Sequence, residues 1–118
     1  MLNSYKELTV WQKSKDLVKE VYRLVKLLPK EETYALSDQM RRAVISIPSN
    51  IAEGWGRSGD KDYPRFLSVA LGSNFELETQ LIICSELGLI PENELEQAQQ
   101  LTDEISKMLN ALISKLKK

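Results

Sequence analysis

Histidine is absent from this 118-residue chain, and cysteine occurs once, at Cys84. A histidine-based catalytic triad or a zinc site of Cys and His ligands cannot be assembled from such a chain. A lone cysteine also excludes an internal disulfide, so a reducing cytoplasm is the expected setting. Breakers are scarce as well: four prolines and five glycines favour long helices. No apolar run approaches the ~18 residues of a membrane span. The start, MLNSYKELTV, lacks the apolar stretch of a signal peptide. Charge of one sign is also missing, since 16 basic and 17 acidic side chains leave a net charge of −1. A protein that grips nucleic acid over its whole surface is more basic than this.

The balance is uneven along the chain. Residues 1–30 carry seven basic and three acidic groups, whereas residues 59–90 carry two basic and five acidic ones. With 42% hydrophobic and 28% charged residues, the chain has the composition of a soluble globular protein, and one domain over residues 1–118 is expected.

Four segments have helical periodicity. The first, from about Val10 to Leu28, opens on a T-x-x-Q capping box (Thr9, Gln12) and stops at Pro29. Its apolar arc covers roughly 160° and includes Trp11, Val18 and Tyr22, while Lys15, Lys19, Arg23 and Lys26 share the opposite side. The second repeats Leu36, Met40, Ala43, Val44, Ile47, Ile51 and Trp55. Pro48 interrupts it, and because the stripe keeps its phase a kinked helix is expected rather than two helices. The third runs from about Asp60 to Leu87, with Pro64 tolerable in its first turn and Gly88 placed to end it. The fourth follows Pro91 and carries Leu95, Ala98, Leu101, Ile105, Leu109 and Ile113. Short linkers make consecutive helices antiparallel. The fold class read from this pattern is all-α: an antiparallel up-down-up-down four-helix bundle, with helix two kinked at Pro48.

Gly54, Gly56 and Gly59 form a literal G-x-G-x-x-G. A dinucleotide fingerprint needs a strand before its first glycine. RRAVISIPSNIAE precedes it here and reads as helix. These glycines are therefore expected to release the chain from helix two into a turn, and no cofactor is expected.

Two further stripes exceed what one bundle interior needs. Leu71, Phe75 and Ile82 lie roughly 100° from the main stripe of helix three, which suggests a subunit interface together with Trp11 and Tyr22 of helix one. Scattered surface apolars, or packing under a neighbouring helix, would be the plainer explanation. On helix two, Gln39, Arg42, Ser46, Ser49, Asn50, Glu53 and Arg57 fall within roughly 100° of one another. They read as a hydrogen-bonded network fixing helix register or subunit contact, or alternatively as an anion pocket at Arg42 and Arg57. No nucleophile–base pair accompanies them, so catalysis has no support. Lys15, Lys19, Arg23 and Lys26 form either a solvated face or, repeated around an oligomer, a belt for a phosphate backbone.

The stretches LTVWQKSKDLVKEVYRLVKLLPKEETYALSDQMRRAVISIPSNIAEGWGR and FLSVALGSNFELETQL closely resemble the four-helix-bundle proteins encoded in 23S rRNA intervening sequences. Its most specific parts are Val10-Trp11-Gln12, Arg41-Arg42-Ala43 and Ser49-Asn50-Ile51-Ala52-Glu53-Gly54. The resemblance implies a ring-shaped homo-oligomer, typically a pentamer, with no enzymatic activity. Relatives of that family include accessory factors of retroelement reverse transcriptases, which bind nucleic acid through strongly basic surfaces. This chain departs from them in its slight excess of acid. The expected function is a non-enzymatic oligomeric scaffold that touches RNA or DNA through the basic face of helix one. The alternative is an adaptor for a protein partner, such as a reverse transcriptase, without nucleic-acid binding; a small-molecule sensor using Arg42, Glu53 and Arg57 is a third reading.

Overall fold

A computed structural model describes residues 2–57 and 61–117. Within them four long helices carry the chain: α1 (Thr9–Val25), α2 (Asp38–Arg57), α3 (Asp62–Glu86) and α4 (Glu92–Leu116). They form an all-α four-helix bundle in which α2 packs on α1 and α3, and α4 packs on α3 and α1. The two longest helices span about 37 Å at ~1.5 Å per residue, close to the long axis of a molecule measuring 43 × 24 × 21 Å.

The helix ends follow local chemistry, not always as the sequence suggests. The capping box at Thr9 does not form. Leu8 takes the capping position without a side-chain hydrogen bond, and Gln12 turns back to donate from Nε2 to the Lys6 carbonyl at 3.0 Å. A 3-10 turn at Tyr5–Glu7 feeds the helix at this point, which fixes the entry one residue early. At its other end α1 stops at Val25 rather than Leu28, and Leu27 and Leu28 form a turn through bonds to Leu24 and Val25. Pro29 restricts the residue before it away from helical geometry. A 3-10 turn at Lys30–Glu32 and a wider π turn at Thr33–Ser37 then delay α2 to Asp38. The close of α3 is as expected. Gly88 adopts φ +67°, and the Gly88 and Leu89 amides bond the Ser85 and Cys84 carbonyls at 3.0 and 2.9 Å, a Schellman ending.

α2 runs through Pro48 as one element, with Val44, Ile47 and Ile51 fully buried on either side of it. The core takes one stripe from each helix: Leu17, Val21 and Leu24; Met40, Val44, Ile47 and Ile51; Leu67, Leu77 and Leu81; Leu95, Ile105 and Leu109. Cys84 is buried among them, its Sγ 3.9 Å from the Met40 Sδ.

The glycine motif needs a correction. Gly54 and Gly56 do not end the helix, because both lie inside α2; Gly59 lies outside the described residues. Gly54 is buried against α3. A β-carbon there would stand 3.0 Å from the Phe66 Cβ and the Tyr63 Cδ1, and 3.3 Å from the Tyr63 carbonyl oxygen. The glycine serves helix–helix approach.

Gly54→Ala is expected to destabilise the fold by about 1–2 kcal/mol, since overpacking against the Phe66 Cβ and the Tyr63 ring and carbonyl outweighs the helix propensity gained. Gly56→Ala, with open space around its Cβ position, should instead stabilise by about 0.5–1 kcal/mol. Urea titrations at one fixed chain concentration check both. A second expectation concerns pH. Burial, with a smaller contribution from Glu32, pushes the Cys84 thiol from 9.0 up to about 11, and desolvation raises the Tyr63 phenol too. Both groups favour the fold while neutral, so stability is full below pH 9.0 and falls as pH climbs toward 11. Cys84→Ala should flatten part of that decline, and iodoacetamide should modify Cys84 at neutral pH only once urea unfolds the chain.

A candidate interface on the α1 and α2 face

Between α1 and α2 runs an open groove of about 440 Å³, lined by Trp11, Lys15, Val18, Lys19, Ile45, Pro48, Ser49 and Ala52. Trp11 and Val18 stand seven residues apart on α1, and Ile45 and Ala52 seven apart on α2. Each pair therefore spans two helical turns, about 10.5 Å. Trp11 has two neighbours. The Tyr5 ring lies 5.2 Å away between centroids, and the Lys15 ammonium 4.6 Å above the indole. At one end the groove continues past Ile45 to Tyr22, Arg41 and Arg42. At the other it continues past Ala52 to Tyr5, Trp55 and Arg57. Its floor is apolar; Lys15 and Lys19 stand beside it, and the arginines at its two ends are accompanied by Asp38 and Glu53.

Ile45 is the residue that periodicity missed. It is out of phase with the buried stripe of α2 and 44% exposed. An isoleucine off the stripe, three residues before Pro48, was the available signal.

Of the four cations expected to act together, Lys15, Lys19 and Lys26 are exposed. Arg23 is committed elsewhere. Its guanidinium donates to Glu20 Oε2 at 2.7 Å and Glu94 Oε1 at 2.8 Å, and to the Glu94 carbonyl at 3.2 Å. The hydrogen bonds to Glu20, then Glu94, raise its already high pKa further. Arg23 thus braces α1 against α4, as Lys13 does through Glu104 at 3.1 Å.

The polar stripe of α2 separates into parts. Ser46 and Asn50 bond each other at 2.9 Å, and Ser73 of α3 donates to the Ser46 hydroxyl at 2.8 Å. Arg57 pairs with Glu53 at 2.9 Å, reaches Asp62 at 4.0 Å, and lies 5.1 Å over the Phe66 ring. Arg42 meets Asp38 at 3.4 Å. Gln39 and Ser49 are exposed, and Ser49 lines the groove. The serine–asparagine group ties α2 to α3, while the two arginines belong to different ends of the helix and are not brought together.

On α3, Phe75 and Ile82 are 44% and 47% exposed. Leu71, expected beside them in an interface, is half-buried and packs on the core. Asn74 and Ser85, neighbours of this stripe, bond the Thr102 carbonyl and Glu92 of α4, so Phe75 and Ile82 face outward on the α4 side. Buried Asn74 as a link between α3 and α4 was also missed, because a polar residue in an apolar stripe gives no hint of its distant acceptor. Arg23, Arg42 and Arg57 near these surfaces are engaged by neighbouring carboxylates, whereas Lys15, Lys19 and Lys26 are exposed. Among the described residues no group of three or more His, Cys, Asp or Glu is placed to hold a metal ion.

The same bundle occurs in a solved structure, the crystal structure of a protein with unknown function from the S23 ribosomal protein family of Bacteroides thetaiotaomicron VPI-5482. It is 27% identical, with a TM-score of 0.82 over 89% of this chain and 98% of that one. Among curated proteins none matches. Residues 6–111 match the family described as 23S rRNA-intervening sequence protein. With that match over nearly its whole length, the chain belongs to the 23S rRNA-intervening sequence protein family.

Proposed function

We propose that this protein is a non-enzymatic scaffold that works as a ring-shaped homo-oligomer, a pentamer as the family resemblance implies. In this reading each chain is one domain, an up-down-up-down bundle with α2 bent at Pro48. The pairs Lys13–Glu104 and Arg23–Glu94 support the order, since the partner on α4 moves back by ten residues as α1 advances by ten. The observation that carries self-assembly is the apolar surface outside the interior: Tyr22, Ile45, Phe75 and Ile82 each expose between 39% and 47% of their surface. Covering the exposed part of each is worth about 1 kcal/mol. Multi-angle light scattering is expected to give five chain masses. Phe75→Asp combined with Ile82→Asp, on exposed positions that spare the core, should shift the mass toward one chain. A one-chain mass for the unaltered protein at every concentration would contradict the proposal.

A second reading, contact with RNA or DNA, has one observation in its favour: Lys15, Lys19 and Lys26 are exposed on one side of α1. Arg23 drops out of this set because Glu20 and Glu94 hold it. Titration of single-stranded RNA should then show affinity falling with salt at a log–log slope of about −2, from ~0.7 counterions per phosphate contact. Replacing the three lysines by glutamine should abolish it, and no binding even at low salt would rule this reading out.

A further inference from the structure

We propose that the acidic, apolar ridge of α3 on one copy seats in the α1–α2 groove of a second copy of this chain. The inference rests on the self-assembly reading and adds which two surfaces meet. Three observations carry it.

The first is position. α1 packs on α2 and α4, and α3 packs on the same two helices, so the α1–α2 side and the α3–α4 side are opposite faces of the bundle. Phe75 and Ile82 lie on the latter. A chain cannot place its own ridge in its own groove, so the contact runs head to tail between copies and repeats until a ring closes.

The second is spacing. Phe75 and Ile82 stand two turns apart, the same about 10.5 Å that separates Trp11 from Val18 and Ile45 from Ala52. A two-tooth ridge therefore matches a two-turn groove in ridges-into-grooves packing.

The third is charge. α1 and α2 together carry seven basic and four acidic side chains, α3 and α4 three basic and nine acidic. At the contact itself Glu78 and Glu86 stand one turn to either side of Ile82, on its own helical stripe. Lys15 and Lys19, also one turn apart, stand at the groove. The complementary potentials select groove against ridge and disfavour groove against groove. Phosphate would draw on the same two lysines, so nucleic acid and the neighbouring copy compete for them.

Cysteine pairing tests the seat on the full chain, with buried Cys84 left in place. A chain carrying both Ile45→Cys and Phe75→Cys should give a ladder of disulfide-linked multimers under mild oxidation, and either substitution alone should give single chains. Disulfide dimers from a single substitution would mean that like surfaces meet, and would overturn the proposal. In a charge test, Lys15→Glu with Lys19→Glu should weaken assembly at least tenfold at low salt, as should Glu78→Lys with Glu86→Lys. All four changes in one chain should restore it. A multimer that ignores these exchanges and forms no ladder sinks the seat but leaves self-assembly standing; a single-chain mass for the unaltered protein removes both.

Discussion

An α-helix can turn only one arc of its surface toward a shared interior, and whatever lies outside that arc meets water or another molecule. The four helices fill this interior with one stripe each, from Leu17 and Ile47 to Leu81 and Ile105, all fully buried. At Gly54, against Phe66 and Tyr63, the side chain is reduced to a hydrogen. Apolar residues out of phase with these stripes, Ile45 on α2 and Phe75 and Ile82 on α3, have no place inside, and the surface features of this protein follow from that geometry.

Charge follows a different division. Net charge is near zero, yet the bases gather on α1 and α2 and the acids on α3 and α4. Within one chain this polarity is partly spent in bracing, as in Arg23 between Glu20 and Glu94. Exposed pairs of this kind contribute little to stability, typically below about 1 kcal/mol each. Their larger consequence is orientation. In the proposed assembly, a basic groove on one face and an acidic ridge on the opposite one favour head-to-tail contact over contact between like surfaces.

Much of the fold was legible from apolar spacing, because helical periodicity is a local signal that a buried stripe imposes on sequence. The four helices, the passage of α2 through Pro48 and the Gly88 ending all follow from neighbours a few residues apart. What was misread depends on residues far along the chain. Gly54 and Gly56 look like helix terminators until Tyr63 and Phe66 of α3 come against the first of them. Arg23 is paired locally with Glu20, but its tie to α4 shows only when Glu94, 71 residues away, closes on it. Leu71 shares a projection with Phe75 and Ile82, but its position beside the core covers it. At Thr9 the failure is local: the preceding 3-10 turn makes Leu8 the capping residue. The groove itself was half visible. Trp11 and Tyr22 stood out on α1, but the opposing wall at Ile45 gained meaning only once α2 lay alongside.

The central claim is that this chain completes the burial of its apolar surface against copies of itself, and solution X-ray scattering over a concentration series tests it most directly. A lone chain has a Cα radius of gyration of 14.7 Å. A five-chain assembly should give at least about 27 Å, from the ~N^0.38 scaling of compact bodies, and hold that value on dilution. A radius near that of the lone chain at every concentration would contradict the account.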